Sequence, residues 1–208
     1  MVRPRDLLEH ERDLWHRGIV HVAGVDEVGR GPLAGPVFAA AVIWPPRCVC
    51  PEVDDSKKLT HAQRMAAAIK IRSLAIAIGH GEASVEEIDG RNILRASLLA
   101  MQRAVAALQV PAQHVLVDGP HLPMLSVAAT AIVHGDSRSQ SIAAASIIAK
   151  LARDALMDEL ALQYPEYGFE HHHGYPTPEH LAALEAHGPC AIHRRSFKPV
   201  RRLIQIYG

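Results

Sequence analysis

Short runs of hydrophobic residues rich in Val, Ile and Ala predict strands in the first half of the chain. Two of them, residues 19–25 and 36–44, are separated by the Gly- and Pro-rich segment 29–35. A third, residues 76–83, comes after a predicted helix. The pattern predicts that the first two strands form a hairpin with an elaborate loop, so that they pair antiparallel.

The helices are marked by apolar residues at helical spacing and, in two cases, by a capping box. One box is Thr60 with Gln63, and the other is Ser84 with Glu87. The predicted helices cover residues 60–74, a short segment from 84, and residues 93–108, 139–162, 179–187 and 197–206. The helix at 139–162 is the longest and has an apolar face, so we expect it to pack on the sheet.

Acidic residues follow two further predicted strands. Residues 114–117 lead into Asp118 beside a glycine, and residues 129–133 lead towards Asp136, also beside a glycine. Sites of α/β proteins usually lie at the carboxyl ends of strands. Strand and helix units after an antiparallel start predict an α/β fold in a single domain, residues 1–208, with a C-terminal helical extension from about residue 164.

Composition narrows the class of protein. Hydrophobic residues make up 49% of the chain and charged residues 21%, which is ordinary for a globular protein. No apolar run approaches the roughly 18 residues that a membrane span needs, and the N-terminus lacks the apolar stretch of a signal peptide. We therefore expect a cytoplasmic protein without a membrane partner, and a monomer.

The net charge of +0 means that any contact with nucleic-acid phosphate must be local. One basic stretch is Lys57 with Lys58. The other is C-terminal and comprises Arg194, Arg195, Lys198, Arg201 and Arg202. Each stretch, taken alone, is also typical of a solvated surface.

Cysteines and a histidine offer an alternative, a zinc-stabilised interaction protein. The candidate ligands are Cys48, Cys50, Cys190 and His193. The Cys-x-Cys pair lies between prolines and lacks the usual zinc spacing, and an odd number of cysteines suits a reducing compartment without disulfides. The run of three histidines at 171–173 is interpreted as a polar loop.

The candidates for chemistry are four carboxylates, Asp26, Glu27, Asp118 and Asp136. Carboxylates are hard oxygen ligands that suit Mg²⁺ or Mn²⁺, and two such ions can promote hydrolysis of a phosphodiester. Asp26 and Glu27 stand together at the end of an apolar strand, where burial of an unpaired charge is costly. Because neighbours in a strand point to opposite faces, joint binding of a metal requires a bulge or the end of the strand.

The two other carboxylates have structural alternatives. Asp118 with the following Gly119 could form a turn. Asp136 could cap the long helix, with Ser137 and Gln140 as a further capping box.

Residues 24–37, GVDEVGRGPLAGPV, resemble the signature segment of the type 2 ribonucleases H, specifically the bacterial ribonuclease HII family. The resemblance continues in family order through DSKKL at 55–59, VDG at 117–119, GDS at 135–137, AAASIIAK at 143–150, GYPT at 174–177 and HRRSF at 193–197. It covers nearly the whole chain from about residue 20.

The resemblance implies a ribonuclease H-like fold, with a five-stranded mixed sheet flanked by helices and a small C-terminal helical extension. It also implies that Asp26, Glu27, Asp118 and Asp136 are the catalytic carboxylates and bind Mn²⁺ or Mg²⁺. Asp154 is a rival for the fourth place, because it also stands in a family-like Arg-Asp pair. Asp136 is preferred because it follows a predicted strand, whereas Asp154 lies well inside a helix.

The substrate implied is an RNA/DNA hybrid or duplex DNA that contains a ribonucleotide. Cleavage 5′ to the ribonucleotide would leave 3′-hydroxyl and 5′-phosphate ends, in ribonucleotide removal from DNA and in primer removal. The residues implied or expected to contact substrate are Gly29, Arg30, Gly31, Ser56, Lys57, Lys58, Tyr175, Arg194 and Arg195. Tyr175 would stack on the sugar of the following deoxynucleotide, and the basic residues would contact phosphate.

Partners are less defined. A sliding clamp is a candidate partner for the tail. A non-catalytic module that binds hybrids is the other alternative, although such a module would not need all four carboxylates.

Overall fold

A five-stranded mixed sheet forms the centre of the protein in the computed structural model, which describes residues 6–53 and 59–207, the side chains of 206 and 207 excepted. The strands are β1 (Val22–Val28), β2 (Val37–Ile43), β3 (Ala77–Ala83), β4 (His114–Asp118) and β5 (Ala129–Ile132). Their order is β3-β2-β1-β4-β5. β1 pairs antiparallel with β2, and β2 with β3, whereas β1–β4 and β4–β5 are parallel. The predicted antiparallel start and mixed sheet are confirmed.

Helices flank this sheet. They are α1 (Glu9–His16), α2 (His61–Leu74), α3 (Val85–Arg91), α4 (Ile93–Ala106), α5 (Gln140–Gln163), α6 (Phe169–His172), α7 (Pro178–His187) and α8 (Lys198–Tyr207). Both predicted capping boxes are present, at the starts of α2 and α3. The alternative capping box of Ser137 with Gln140 is wrong. Ser139 caps α5 and accepts a hydrogen bond from the Ile142 backbone, whereas Ser137 lies in a short 3₁₀ turn. The sequence pattern did not predict α1.

Alternation along β2 divides the apolar core into two layers. Ala40 and Val42 pack in the layer formed with α2 and α5, whereas Ala39 and Ala41 pack in the layer formed with α4. Alanine suits these positions because its small side chain lets helix and strand approach closely. No helix among the residues described is long and apolar enough to cross a membrane.

A strand and a helix approach each other very closely at Gly24 of β1. A Cβ atom there would lie 2.2 Å from the backbone nitrogen of Ile142 in α5. Only glycine permits this distance, which holds the start of α5 directly against the strand that carries Asp26 and Glu27.

The C-terminal segment packs around a second small core. Its buried members include Met157, Tyr167, Phe169, Leu184 and Val200. The loop at 29–36, which joins β1 to β2, is attached to this segment by backbone hydrogen bonds. Leu33 donates to the Gly174 carbonyl at 2.7 Å, and Arg194 donates to the Leu33 carbonyl at 2.8 Å.

Candidate active site

Asp26 and Glu27 lie near the end of β1, where its pairing with β4 stops. The last parallel pair joins Val25 to Val117, so Asp26 and Asp118 occupy the next positions of two neighbouring strands. Carboxylate oxygens of Asp26, Glu27 and Asp118 all lie within 4.8 Å of one another. The antiparallel register with β2 runs through Asp26 and Glu27 without a bulge, so the end of the parallel pairing brings these residues together.

Asp136 lies beside these three residues in the 3₁₀ turn before α5. The Gly135 backbone donates a hydrogen bond to Asp118 Oδ1 at 2.6 Å, and the Asp136 backbone approaches the same oxygen at 3.4 Å. Asp136 is buried, and its charge contributes to the raised pKa of Asp26. The turn therefore ties Asp136 to the acidic cluster, the name used below for Asp26, Glu27 and Asp118.

Burial and the repulsion between neighbouring carboxylates make Asp26 and Glu27 hard to ionise. Asp26 is only 5% exposed, and desolvation followed by the charges of Glu27 and Asp118 holds its pKa well above the ordinary value. Burial also raises the pKa of Glu27, although the Arg30 guanidinium opposes that shift at 3.2 Å. Glu27 Oε2 is buried and has no hydrogen-bond partner among the described residues.

These features fit a bound divalent cation. A positive ion at this point would relieve the repulsion and supply a partner for Glu27 Oε2. A set of oxygen ligands with no nitrogen or sulfur is typical of Mg²⁺ or Mn²⁺.

An open cleft of about 430 Å³ extends from the acidic cluster. Beyond the three carboxylates, its walls are formed by Val28, Arg64, Ser146, Lys150 and Tyr175. Sequence reasoning assigned no role to Arg64, Ser146 or Lys150. Ser146 and Lys150 are four residues apart in α5, a spacing that puts both on one helix face. This spacing is the sequence signal that could have identified them as a pair of polar residues facing the site.

The loop at 29–36 and the turn that carries Tyr175 meet at the rim of this cleft. A Cβ atom on Gly31 would lie 3.4 Å from the Tyr175 ring, and Tyr175 is 39% exposed. Gly29 has φ of +94°, a conformation that favours glycine. Arg30 bonds to Glu27, which links the loop to the acidic cluster.

The predicted basic contacts have different outcomes. Arg194 is fully buried and its guanidinium binds backbone carbonyls, so the prediction that it contacts phosphate directly is wrong. Its neighbour Arg195 is exposed, and its backbone donates to Asp89 at 2.9 Å. Ser56, Lys57 and Lys58 lie outside the described residues.

Asp154, the rival carboxylate, is engaged elsewhere. It accepts a hydrogen bond from Lys150 Nζ at 2.6 Å on α5. The charge of Asp136, in contrast, contributes to raising the pKa of Asp26. Asp136 therefore lies beside the acidic cluster, and its role as the fourth catalytic carboxylate stays a prediction.

The zinc alternative finds no support. Cys48 and Cys50 pack in the core beside α5, whereas Cys190 packs in the C-terminal core and approaches His193 Nδ1 at 3.1 Å. Within the described ranges, the acidic cluster is the one group of three or more metal-binding side chains that converges. The run at 171–173 is also less polar than predicted, because His172 is buried.

A mixed sheet with carboxylates converging at the ends of its central strands defines the class of ribonuclease H-like nucleases. A family model described as Ribonuclease HII matches residues 23–200, and the chain belongs to this family of endoribonucleases. It is 57% identical to a ribonuclease HII of Dechloromonas aromatica (strain RCB), over 89% of this chain and 94% of that protein.

A second relative is a ribonuclease HII of Nitrosococcus oceani, which is 58% identical over 88% of this chain and 92% of that protein. Among solved structures, the ribonuclease H2 of Pyrococcus horikoshii OT3 aligns with a TM-score of 0.75 at 26% identity. That alignment covers 89% of this chain and 97% of the archaeal one. The ribonuclease H-like fold implied by the sequence is thereby confirmed.

Proposed function

We propose that this ribonuclease cuts the RNA strand of RNA/DNA hybrids and cuts duplex DNA on the 5′ side of an embedded ribonucleotide. The observation that carries the proposal is the convergence of Asp26, Glu27 and Asp118 within 4.8 Å in a cleft whose rim includes Tyr175. Family membership supports the same class of reaction.

The acidic cluster and Asp136 would hold two divalent cations, Mn²⁺ or Mg²⁺. When bound, these ions would polarise the scissile phosphate and lower the pKa of the attacking water. The protein prepares the ligands for this role. A Ser146 hydrogen bond favours the ionised form of Asp26, Arg30 does the same for Glu27, and the Gly135 backbone orients Asp118.

The reaction is a single displacement at phosphorus. Water attacks the phosphate on the 5′ side of the ribonucleotide, and the bond from phosphorus to the upstream 3′-oxygen breaks. That oxygen takes up a proton, which leaves a 3′-hydroxyl on one product and a 5′-phosphate on the other. The ribose 2′-hydroxyl stays intact, because it serves as a recognition group and not as the nucleophile.

Recognition of that 2′-hydroxyl is assigned to Gly29, Arg30 and Gly31, with Tyr175 against the neighbouring sugar. Glycine permits the close approach of backbone groups to a sugar, and the 2′-hydroxyl distinguishes RNA from DNA. Arg195, with Ser56, Lys57 and Lys58, would contact phosphates without sequence preference, so salt should weaken binding. A sliding-clamp contact, a monomeric state and cytoplasmic localisation stay predictions.

The test uses two end-labelled substrates, a DNA duplex with one ribonucleotide and an RNA/DNA hybrid, each with Mg²⁺, Mn²⁺ or a chelator. Product ends are mapped by their ability to be extended by a polymerase and to be ligated. We expect metal-dependent products with 3′-hydroxyl and 5′-phosphate ends at the 5′ side of the ribonucleotide. Binding of both duplexes without cleavage would favour the non-catalytic module and contradict the proposal.

A further inference from the structure

Two buried arginines lie beneath the loop at 29–36. Arg153 of α5 and Arg194, which precedes α8, are both 0% exposed. Neither belongs to the acidic cluster or lines the cleft described above. We call these two residues the arginine pair.

The arginine pair binds backbone carbonyls along almost the whole loop. Arg194 Nε donates to Gly35, Nη1 to Arg30 and Pro32, and Nη2 to Gly29 and Pro36, at 2.6 to 3.2 Å. Arg153 donates to Ala34 and Pro36, both at 3.1 Å. Six of the eight loop carbonyls therefore accept a hydrogen bond from a guanidinium. A guanidinium can bind several carbonyls at once because it is planar and carries five N–H donors.

Within residues 6–53 and 59–205, neither guanidinium forms an ion pair with an acidic side chain. Burial lowers the pKa of Arg194 to about 9 and that of Arg153 to about 10. Two like charges are thus held in the interior mainly by backbone carbonyls, with the charge of Asp154 acting on Arg153 and that of Asp89 on Arg194, an expensive arrangement for a surface loop.

The hydrogen bonds fix which way the loop amides face. In a trans peptide the carbonyl oxygen and the following N–H point in opposite directions. Because the carbonyls of Gly29 and Arg30 point towards Arg194, the N–H groups of Arg30 and Gly31 point away from it. The loop therefore turns two backbone donors away from the protein interior at the segment assigned to the ribonucleotide.

The same pair connects the loop to Tyr175. Arg153 Nη1 donates to the His173 carbonyl at 3.0 Å, two residues before Tyr175. Leu33 donates to the Gly174 carbonyl at 2.7 Å. The distance between the loop donors and the Tyr175 ring is therefore set by contacts beneath both.

We propose that Arg153 and Arg194 are positioning residues that determine selectivity for a 2′-hydroxyl, by holding the backbone donors of the loop and the Tyr175 ring in one fixed arrangement. The inference rests on the proposed function, because it assumes that this loop meets the ribonucleotide. The arginines themselves touch no substrate.

Arg194→Lys and Arg153→Lys test the proposal, because lysine keeps the charge and loses the planar fork that spans several carbonyls. Arg95→Lys is the matched control, since it makes the same change at an exposed arginine to which no contact with substrate is assigned. The measured quantity is the ratio of two affinities, one for a duplex with a single ribonucleotide and one for an all-DNA duplex of the same sequence. Both affinities are measured by fluorescence anisotropy with Ca²⁺ in place of a catalytic ion. Because both affinities are measured with the same protein preparation, their ratio does not depend on the fraction of active protein.

We expect each variant of the arginine pair to lower this ratio about tenfold, roughly the effect of one lost hydrogen bond, with affinity for all-DNA duplex unchanged. Arg95→Lys should keep the wild-type ratio. An unchanged ratio in both variants, or an equal loss of affinity for both duplexes, would overturn the inference. So would loss of cooperative unfolding in both variants, because the pair would then serve the fold alone. No preference in the wild-type protein would instead overturn the proposed function.

Discussion

The acidic cluster and the arginine pair both bury like charges, and they differ in what compensates them. Around the cluster, Asp26 and Glu27 have raised pKa values, and Glu27 Oε2 has no hydrogen-bond partner in the part of the chain that the structure describes. Around the pair, eight hydrogen bonds join the two guanidiniums to backbone carbonyls. The arginines are thus compensated from within the chain.

This difference separates two kinds of buried charge. Groups whose hydrogen bonds are complete stabilise one conformation, and removing one of them should cost stability. Groups that repel one another are completed by something from outside, and removing one of them should cost function and spare the fold. The same comparison predicts opposite outcomes for substitutions at the two places.

The largest effect is expected for Asp26→Asn. Loss of partners outside a metal's direct ligands already costs about 10- to 100-fold, so loss of a direct ligand should lower kcat by more than about 100-fold. Stability without metal should hold or rise, because one member of a repelling group becomes neutral. Single-turnover cleavage and thermal unfolding in chelator measure the two effects.

Ser137→Ala, in the same 3₁₀ turn as Asp136, is the control for a change near the site. A stability loss in Asp26→Asn with cleavage retained would reverse the comparison.

Arg153→Met should have the next largest effect, this time on stability. The substitution keeps an unbranched side chain and removes donors to Pro36, Ala34 and His173. Because Pro36 keeps its hydrogen bond from Arg194, two carbonyls are left unsatisfied, and at about 1 kcal/mol for each the free energy of unfolding should fall by about 2 kcal/mol. Urea denaturation measures it, with exposed Arg138→Met as the matched control. Stability equal to that of the control would remove the distinction between the two regions.

Acid should weaken the C-terminal core through its buried histidines. The Cys190 backbone donates to His193 Nδ1 at 3.0 Å, so His193 Nε2 carries the proton and donates to His180 at 3.1 Å. Burial, with His180 nearby, lowers the pKa of His193 to about 3. The unfolded chain therefore takes up a proton first, and stability is lost as pH falls from about 6.5 towards 3.

Between pH 7 and pH 5 this histidine should account for a loss of about 1 to 2 kcal/mol. The raised pKa values of Asp26 and Glu27 act in the opposite direction, since they favour the folded state at lower pH. Unfolding at both pH values is compared between the wild-type protein and His193→Gln, which should lose less stability on acidification. An equal loss in both proteins would exclude His193 as the cause.

The smallest effect is expected for Arg103→Ala. Arg103 forms a two-point ion pair with Glu87 at 2.7 and 2.8 Å, and both side chains are partly exposed to solvent. Exposed pairs of this kind contribute less than about 1 kcal/mol and are screened by salt. Denaturation in low and high salt should show a small difference that salt reduces. A loss comparable to that of Arg153→Met would mean that burial does not explain the arginine pair.

Local sequence signals predicted most of the sheet and helices, because capping boxes and apolar spacing act within a few residues. The helix α1 was missed because a long-range contact holds it. Its Glu11 carboxylate accepts from the Ser139 hydroxyl at 2.6 Å and from the Ser141 backbone at 2.9 Å. A short, strongly charged segment carries no sign of such distant partners.

The candidate site was likewise predictable from the sequence only in part. Carboxylates at strand ends could be predicted from Asp26, Asp118 and Asp136, but their convergence depends on the parallel pairing of β1 with β4. The basic pattern around Arg194 suggested a surface, whereas its partners are carbonyls more than 150 residues earlier in the chain. Composition cannot distinguish a buried guanidinium from an exposed one.

The central claim is that cations from outside complete the acidic cluster. It is tested most directly by titrating Mn²⁺ into wild-type protein and Asp26→Asn, while following thermal unfolding and cleavage of a duplex with one ribonucleotide beside its all-DNA twin. The account predicts that Mn²⁺ raises the wild-type Tm and starts cleavage of the ribonucleotide duplex over one concentration range, and does neither in the variant. Cleavage by wild-type protein in chelator, or wild-type cleavage by Asp26→Asn, would contradict it.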